Sequence, residues 1–290
     1  AATNGRDLPV KELKAFLDDQ THAHASRRLA YELLLQAEPE KAAALAPGFI
    51  DDPAPELRRD AVALLLHQAA EKENAALYHK ALRAARDVDQ IQAASEALKK
   101  AGKTVDLPKI MGFLMRWKVI GPFDNSERGG FDVPYPPEKQ TNFDATYPGK
   151  DAPAAWTDLS TADPFGMVDV NKAYGELKEV VAYAHTTFDS PAARDVQLRL
   201  GCKNAWKIWL NGKLLFARDE YHRGMRIDQY VIPASLQKGP NAILVKLCQN
   251  EQMESWTKQW QFQLRVTDSS GSAVLAANRG PTPEAHAPKR

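Results

Sequence analysis

Near residue 112 the hydrophobic pattern changes its period, and no single architecture accommodates both halves. Before that point Ala and Leu recur at helical spacing; after it Trp, Val, Pro and Gly dominate, and apolar residues alternate in short runs of period two. The pattern predicts an α+β multidomain chain: an N-terminal α-solenoid of helix pairs over 1–112, an antiparallel β-sandwich of the jelly-roll kind over 113–276, and a flexible C-terminal tail over 277–290. At 290 residues the chain is long enough to bury two cores.

The first half repeats itself. The stretch SRRLAYELLLQA (26–37) aligns with LRRDAVALLLHQ (57–68) at an offset of 31, matching Arg27 to Arg58, Ala30 to Ala61 and Leu33 to Leu64; QIQAASEALKKAG is a weaker third copy. A shorter helix precedes each copy, with Ala43 onward corresponding to Ala75 onward at an offset of 32, and Leu13 to Leu17 as a first member. Helix pairs at fixed spacing cannot bury their apolar stripes singly and must stack. The phrase DDPAPELRRDAVALLL resembles the signature of short HEAT-like repeats. Such an array serves as a spacer or cap for the second domain, or offers a partner a groove.

In the second half, strands are predicted at 116–123, 166–170, 179–188, 195–202, 227–233, 241–249 and 260–268, together with a hairpin around KIWLNGKLLFARD (207–219). Asn211-Gly212 both tolerate positive φ, as a two-residue type I′ turn requires, so Trp209 faces Leu214 and Ile208 faces Leu215. Both surfaces of that hairpin then carry apolar pairs. One lines the sandwich core; the other needs a cover, which is a loop, the rest of the chain or a ligand. In the strand NAILVKLCQ, Ile243, Val245 and Leu247 point inward while Leu244 and Lys246 point out. Residues 124–160 hold too much Pro, Gly and Asp for regular structure, and a segment that long is a functional loop or a wrapping arm.

These phrases also carry a likeness. WKVIGPFDN, YPPE, VVAYAHTTF, LRLGCKNAWKIWLNGK, KGPNAILVKLCQNEQ and WQFQLRV together resemble a galactose-binding-like β-sandwich of large exported planctomycete proteins, found there beside HEAT-like repeats. The W-L-N-G-K strand end followed by K-G-x-N-x-I-L-V-K is similar to the sugar-binding jelly-roll domain of family 2 glycoside hydrolases. The likeness spans about residues 114–275. It implies a carbohydrate-binding or ligand-sensing module in an extracytoplasmic protein, periplasmic or extracellular. The N-terminal AATNGRDLP shows no basic region followed by an apolar stretch; its small residues are equally what cleavage of an export signal leaves.

Charge and motifs narrow the classes of function. Lys and Arg number 38 against 37 Asp and Glu, for a formal net charge of +1, which makes no electrostatic case for nucleic acid. No apolar run approaches the roughly 18 residues of a membrane span. None of the seven histidines sits in a metalloprotease, hydrolase or nucleotide-binding motif, and no C-x-x-C-H haem motif occurs. No catalytic residue is therefore assigned, and no cofactor is expected. Cys202 and Cys248 are the two cysteines. Their opposite strand parity opposes a disulfide unless a bulge intervenes.

Two loops are dense in binding chemistry. RDEYHRGMRIDQY (218–230) contributes Tyr221, His222, Arg223 and Arg226. CQNEQMESWTKQW (248–260) contributes Gln249, Asn250, Glu251, Glu254, Trp256 and Trp260. Aromatic planes beside amide and charged groups suit a sugar, whose CH-rich face stacks while its hydroxyls hydrogen-bond. Trp256 lies in the polar part of its loop and is the better platform; Trp260 opens a strand and is claimed by the core as well. FDNSERGGFD (123–132) offers Asp124, Asn125 and Asp132 to a structural calcium, although its spacing matches no defined calcium loop. The expectation is a non-catalytic module that binds glycan through these loops. A scaffolding role in envelope protein contacts is the alternative, and an accessory domain of a glycoside hydrolase the third.

Overall fold

The computed structural model describes residues 8–284 and divides the chain into two compact units, Ala1–Val105 and Asp106–Arg290. The seam thus falls before 106 rather than after 112, because the short helix at Leu107–Met111 belongs with the second unit. Residues 1–7 and 285–290, which include most of the N-terminal stretch read for an export signal and the end of the C-terminal tail, lie outside the described residues.

The first unit comprises, among the described residues, helices α1 (Val10–Asp18), α2 (His24–Ala37), α3 (Pro39–Ala43), α4 (Pro55–Glu71), α5 (Ala75–Ala84) and α6 (Val88–Lys100). Pro39 and Pro55 open α3 and α4, where a missing N–H costs nothing. Asn74 caps α5, its side chain accepting from the amides of Ala76 and Leu77. The stretch from Ala43, read as the counterpart of α5, is instead a broken element ending in a 3-10 turn over Ala46–Phe49, since Pro47 and Gly48 interrupt it. Leu17, Tyr31, Leu34, Phe49 and Leu57 form the core.

The 31-residue offset has a side-chain meaning. Arg27 is buried, donating through Nε to the carbonyl of Leu17 (2.9 Å) and through its fork to both oxygens of Asp52 (2.7 and 2.8 Å). Arg58 donates to the carbonyl of Asp52 (2.7 Å). The next residues, Arg28 and Arg59, each reach forward two helices, Arg28 on α2 to Asp60 on α4 and Arg59 on α4 to Asp89 on α6. Burial raises the Asp52 carboxyl, but the hydrogen bonds and charge of Arg27 outweigh it and hold the group below the usual carboxylate range.

The second unit runs α7 (Leu107–Met111), β1 (Arg116–Asp124), α8 (Pro136–Lys139), β2 (Thr146–Tyr147), β3 (Ala154–Ala155), β4 (Thr157–Ser160), β5 (Val168–Asp169), α9 (Asn171–Tyr174), β6 (Val180–Ser190), β7 (Arg194–Cys202), β8 (Ala205–Leu210), β9 (Lys213–Arg218), β10 (Tyr230–Leu236), β11 (Gly239–Gln249) and β12 (Gln261–Thr267). Two antiparallel sheets form a β-sandwich, a six-stranded one ordered β4-β1-β6-β11-β8-β9 and a four-stranded one ordered β10-β7-β12-β5. Their facing sides close one core. Ile243, Val245 and Leu247 meet Leu198, Leu200, Phe262 and Leu264 there, with Trp117, Trp206 and Trp260.

The hairpin turn at Asn211-Gly212 has φ of 51° and 79°, the left-handed pair a type I′ turn needs. Its register departs from the expected one after two pairs. Trp209 faces Leu214, but Ile208 faces Phe216, because the ladder shifts there and Leu215 is bulged out. The shift places Phe216 against Trp206, with ring centroids 5.4 Å apart.

The outer face of the six-stranded sheet carries an apolar patch of its own, and the chain covers it with its own arm. Ile120, Phe123, Val181, Tyr183, Trp209, Leu244 and Cys248 form a second buried layer beneath residues of 131–156, including Phe131, Tyr135, Tyr147 and Trp156. Lys246 leaves the inter-sheet core as its parity requires, yet it never reaches solvent. Its ammonium donates to the carbonyls of Phe131 and Val133 (both 2.8 Å) and to Glu138 (2.9 Å), and lies near the rings of Tyr135 and Tyr183. Burial pushes its pKa down and Glu138 opposes that push. The arm is thereby pinned through a buried ion pair with three hydrogen bonds.

Two expectations need correction here, while the parity argument on the cysteines agrees with the structure. Cys202 sits in the inter-sheet core and Cys248 in the outer layer, on opposite faces, so both are free thiols. Burial pushes both up to about 12. The start of the tail is docked rather than flexible: the amide of Ala277 donates to Asp189, Asn278 bonds Thr187 and Asp189, and Arg279 bonds the carbonyl of Phe113. The would-be calcium ligands do not converge. Asp124 pairs with Lys150 and accepts from Ser126, Asp132 pairs with Lys207, and Asn125 is buried under Tyr221. Among the described residues no group of three or more His, Cys, Asp or Glu could hold a metal.

Candidate functional site

Antiparallel neighbours place alternate strand ends at one rim. The end of β1, the start of β6, the start of β8 and the end of β11 therefore gather together, along with the loops that follow them. The floor of this rim is a buried amide network. Asn204 donates to the Gln249 side chain (2.8 Å), Gln249 donates to the carbonyl of Thr257 (3.0 Å), and Asn125 donates to the Gln249 carbonyl (2.9 Å) and the Tyr221 hydroxyl (3.1 Å). Gln249 and Asn250 are thus struts with no exposure, and their expected contact with a ligand is corrected. Trp260 is corrected likewise: it is fully buried in the inter-sheet core.

Above the floor, Asn250 accepts from His222 Nε2 (2.7 Å) while its own amide group donates to Gln252 (3.0 Å). That directionality puts the proton of the neutral imidazole on Nε2 and leaves Nδ1 as the acceptor. Burial lowers the His222 pKa, the Asn250 bond opposes it, and the nearby Lys178 and Arg128 charges lower it further, so the ring is neutral at neutral pH. Trp256, on a 3-10 turn over Ser255–Lys258, stands edge-on to that ring with centroids 5.4 Å apart. Its indole is 55% exposed.

A third wall comes from the arm. Arg128 lies over the Tyr221 ring (5.3 Å) and pairs with Glu251 through Nε (3.1 Å) and its fork. The hydrogen bonds and charge of Arg128 hold the Glu251 carboxyl down at about 2. Glu127, Arg128, Glu179 and His222 all have φ between 52° and 63°. Left-handed backbone at four non-glycine residues of one rim is stored strain of order 1 kcal/mol each, held by bonds such as Glu179 N–H to the Asn250 carbonyl.

The structure thus brings together Tyr221, His222, Asn250, Glu251 and Trp256. It does not bring in Arg223, which lies near Glu220 (3.7 Å), nor Glu254, exposed and structural only through its carbonyl to Thr257. Arg226 is exposed at the return of its loop, where its carbonyl lies against Gly201; a Cβ there would stand 2.5 Å from that oxygen. Sequence reasoning missed Arg128 and the anchor of the 219–229 loop, Asp228. Arg199 and Arg265 face each other across β7 and β12, and Asp228 bridges them, accepting from Arg199 (2.7 Å) and Arg265 Nε (2.6 Å). Two arginines opposed on adjacent strands require an anion, but their register was needed to see it.

No protein-family model matches this chain, and no curated protein matches it. Solved structures similar to part of it include a β-glucosidase from Kluyveromyces marxianus (9% identity, 59% of this chain, 21% of that chain, TM-score 0.32). A GH2 β-galacturonidase from Eisenbergiella tayi bound to glycerol aligns at 8% identity over 53% of this chain and 25% of its own, with a TM-score of 0.29. An anti-sigma factor domain-containing protein from Clostridium clariflavum aligns at 11% identity over 60% and 49%, with a TM-score of 0.33. The chain spans half or less of the length of each. The architecture above rests on strand registers and packing alone.

Proposed function

We propose that the second unit is a galactose-binding-like jelly roll that binds carbohydrate at the rim formed by Trp256, His222, Tyr221, Arg128 and Glu251, without catalysing its cleavage. The observation that carries this reading is the Trp256 indole: a large aromatic plane left 55% exposed, braced by His222, beside amide and charged groups held by a buried network. An exposed plane next to fixed donors and acceptors suits a pyranose, which offers CH groups on one face and hydroxyls at its edge. In this reading the first unit is a short HEAT-like solenoid acting as a spacer, and the protein works outside the cytoplasm.

Calorimetric titration of the whole chain with a panel of neutral and acidic oligosaccharides tests it. A binder should lose about 1–3 kcal/mol on Trp256→Ala. Flat titrations across the panel, or a sugar bound equally well by the Trp256→Ala variant, remove the assignment. A protein-contact module is the second reading, favoured by Leu214, Phe216 and Val231, which stand exposed on the edge strands β9 and β10. Light scattering showing a stable oligomer whose formation those residues control, with no response to sugar, supports that reading instead.

A further inference from the structure

One side of the sandwich is closed and the other is open. On the closed side α9 packs against β1 and β4, and its Tyr174 reaches the inter-sheet core. On the other side the two sheets end in β9 and β10. These edges meet where Phe216 approaches Tyr230, with ring centroids 5.9 Å apart. Toward the Asn211-Gly212 turn a cleft of about 910 Å³ lies between the β8–β9 hairpin and the β7 and β10 pair. Its lining shares no residue with the Trp256 rim.

The bulge that drops Leu215 from the β8–β9 ladder brings that side chain into the cleft, beside Leu210, Val196 and Ala234. Leu214, Phe216 and Val231 continue the apolar surface along the two edges. No aromatic ring lines the cleft, so a sugar finds no stacking plane there. The charges at its mouth are unevenly served. Asp195 accepts from the Ser235 hydroxyl (2.7 Å), and Asp268 accepts from the amides of Ser270 and Ser272 (2.9 and 3.0 Å). Arg194 and Lys213 have no partner among the described residues, so the demand left at the mouth is for an anion. An edge strand also presents unpaired N–H and C=O groups. Pro233 removes one donor from β10, which leaves β9 as the edge better able to pair.

We propose that β9 and this cleft bind an extended segment of a partner protein in which acidic residues flank alternating apolar ones. The segment's backbone pairs with β9, its apolar side chains enter beside Leu215 and Ala234, and its carboxylates meet Arg194 and Lys213. A second copy of this chain fits worse. Laying β9 antiparallel on another β9 sets Lys213 opposite Arg218, and like charges facing each other on adjacent strands are destabilising.

The test pans a phage-displayed library of random peptides of about 12 residues, enough for one strand, against the whole chain. One enriched peptide is then synthesised and titrated by fluorescence anisotropy. Enriched sequences should be acidic with apolar residues at alternate positions, and amide exchange over 213–218 should slow when the peptide binds. The double variant Arg194→Glu with Lys213→Glu, at two exposed positions, should weaken the peptide about ten-fold or more, and added salt should weaken it as well. Trp256→Ala should leave the affinity unchanged, which separates this surface from the sugar rim. No enrichment, a neutral or basic consensus, an affinity indifferent to the double variant, or protection confined to the Trp256 rim overturns the proposal. A stable homodimer in light scattering that protects β9 overturns it too.

Discussion

Replacing Lys246 by Met tests the claim that an ion pair fastens the arm to the sheet. Met keeps the unbranched stem that crosses the outer layer and deletes only the ammonium. Three acceptors then lose a donor: the carbonyls of Phe131 and Val133 and the carboxylate of Glu138. Removing one member of a buried pair costs about 3–5 kcal/mol, mostly by stranding the other charge. The Glu138 side chain is 14% exposed and keeps the Tyr183 hydroxyl as a donor, so the low end, about 3 kcal/mol, applies. All six tryptophans lie between 117 and 260, so urea unfolding followed by tryptophan fluorescence reads the sandwich unit. Adding Glu138→Gln removes the stranded charge and should recover about 1.5 kcal/mol, because the loss is then of a pair rather than of half of one. Amide exchange should rise over 131–139 in the single variant. A loss under about 1 kcal/mol, a strictly additive double variant, or unaltered exchange across the arm would refute the reasoning.

Burial alone holds the His185 ring at about 4 against its ordinary 6.5, so the unfolded ring takes up a proton first as pH falls. Its contribution is complete above pH 6.5 and is lost between there and about 4, with a ceiling of about 3 kcal/mol; His185→Leu should flatten the stability profile in that window. Gly212→Ala meets no atom within 4 Å but must hold φ of 79°, so it should cost about 1 kcal/mol in urea titration, and no loss would deny the type I′ turn. Arg27→Met strands buried Asp52 and should cost the helical unit about 3 kcal/mol, read by its far-ultraviolet helix signal; an unchanged melt would mean the rung is ornamental to the fold.

How far the residues disclosed the structure depends on how local the information is. The Asn211-Gly212 turn and the inward parity of Ile243, Val245 and Leu247 are matters of neighbouring residues, and they read directly, whereas the change of period at 112 missed the seam by the short helix at Leu107–Met111. The Arg27 and Arg58 correspondence marked two buried arginines, but their roles differ: Arg27 pairs with the Asp52 carboxylate and Arg58 bonds backbone carbonyls. The bulge at Leu215 was invisible, because a single slipped residue leaves the composition of both strands unchanged. The candidate rim was half legible. Loops 218–230 and 248–260 advertise their chemistry, but which residues serve as floor and which face solvent depends on strand ends brought together from far along the chain. Gln249 and Trp260 went inward for that reason, and Arg128 arrived from a segment with no obvious part in the site.

The covered outer face of the six-stranded sheet limits what may be cut from this protein. A shorter polypeptide starting at residue 160 would keep β6 to β12, and so most of the central core, yet it would uncover Val181, Tyr183, Trp209 and Leu244 in one sweep. Such a fragment should be sticky before it is unstable, adhering to its own copies through a bare hydrophobic wall. Trimming experiments aimed at the Trp256 rim therefore have to begin upstream of β1.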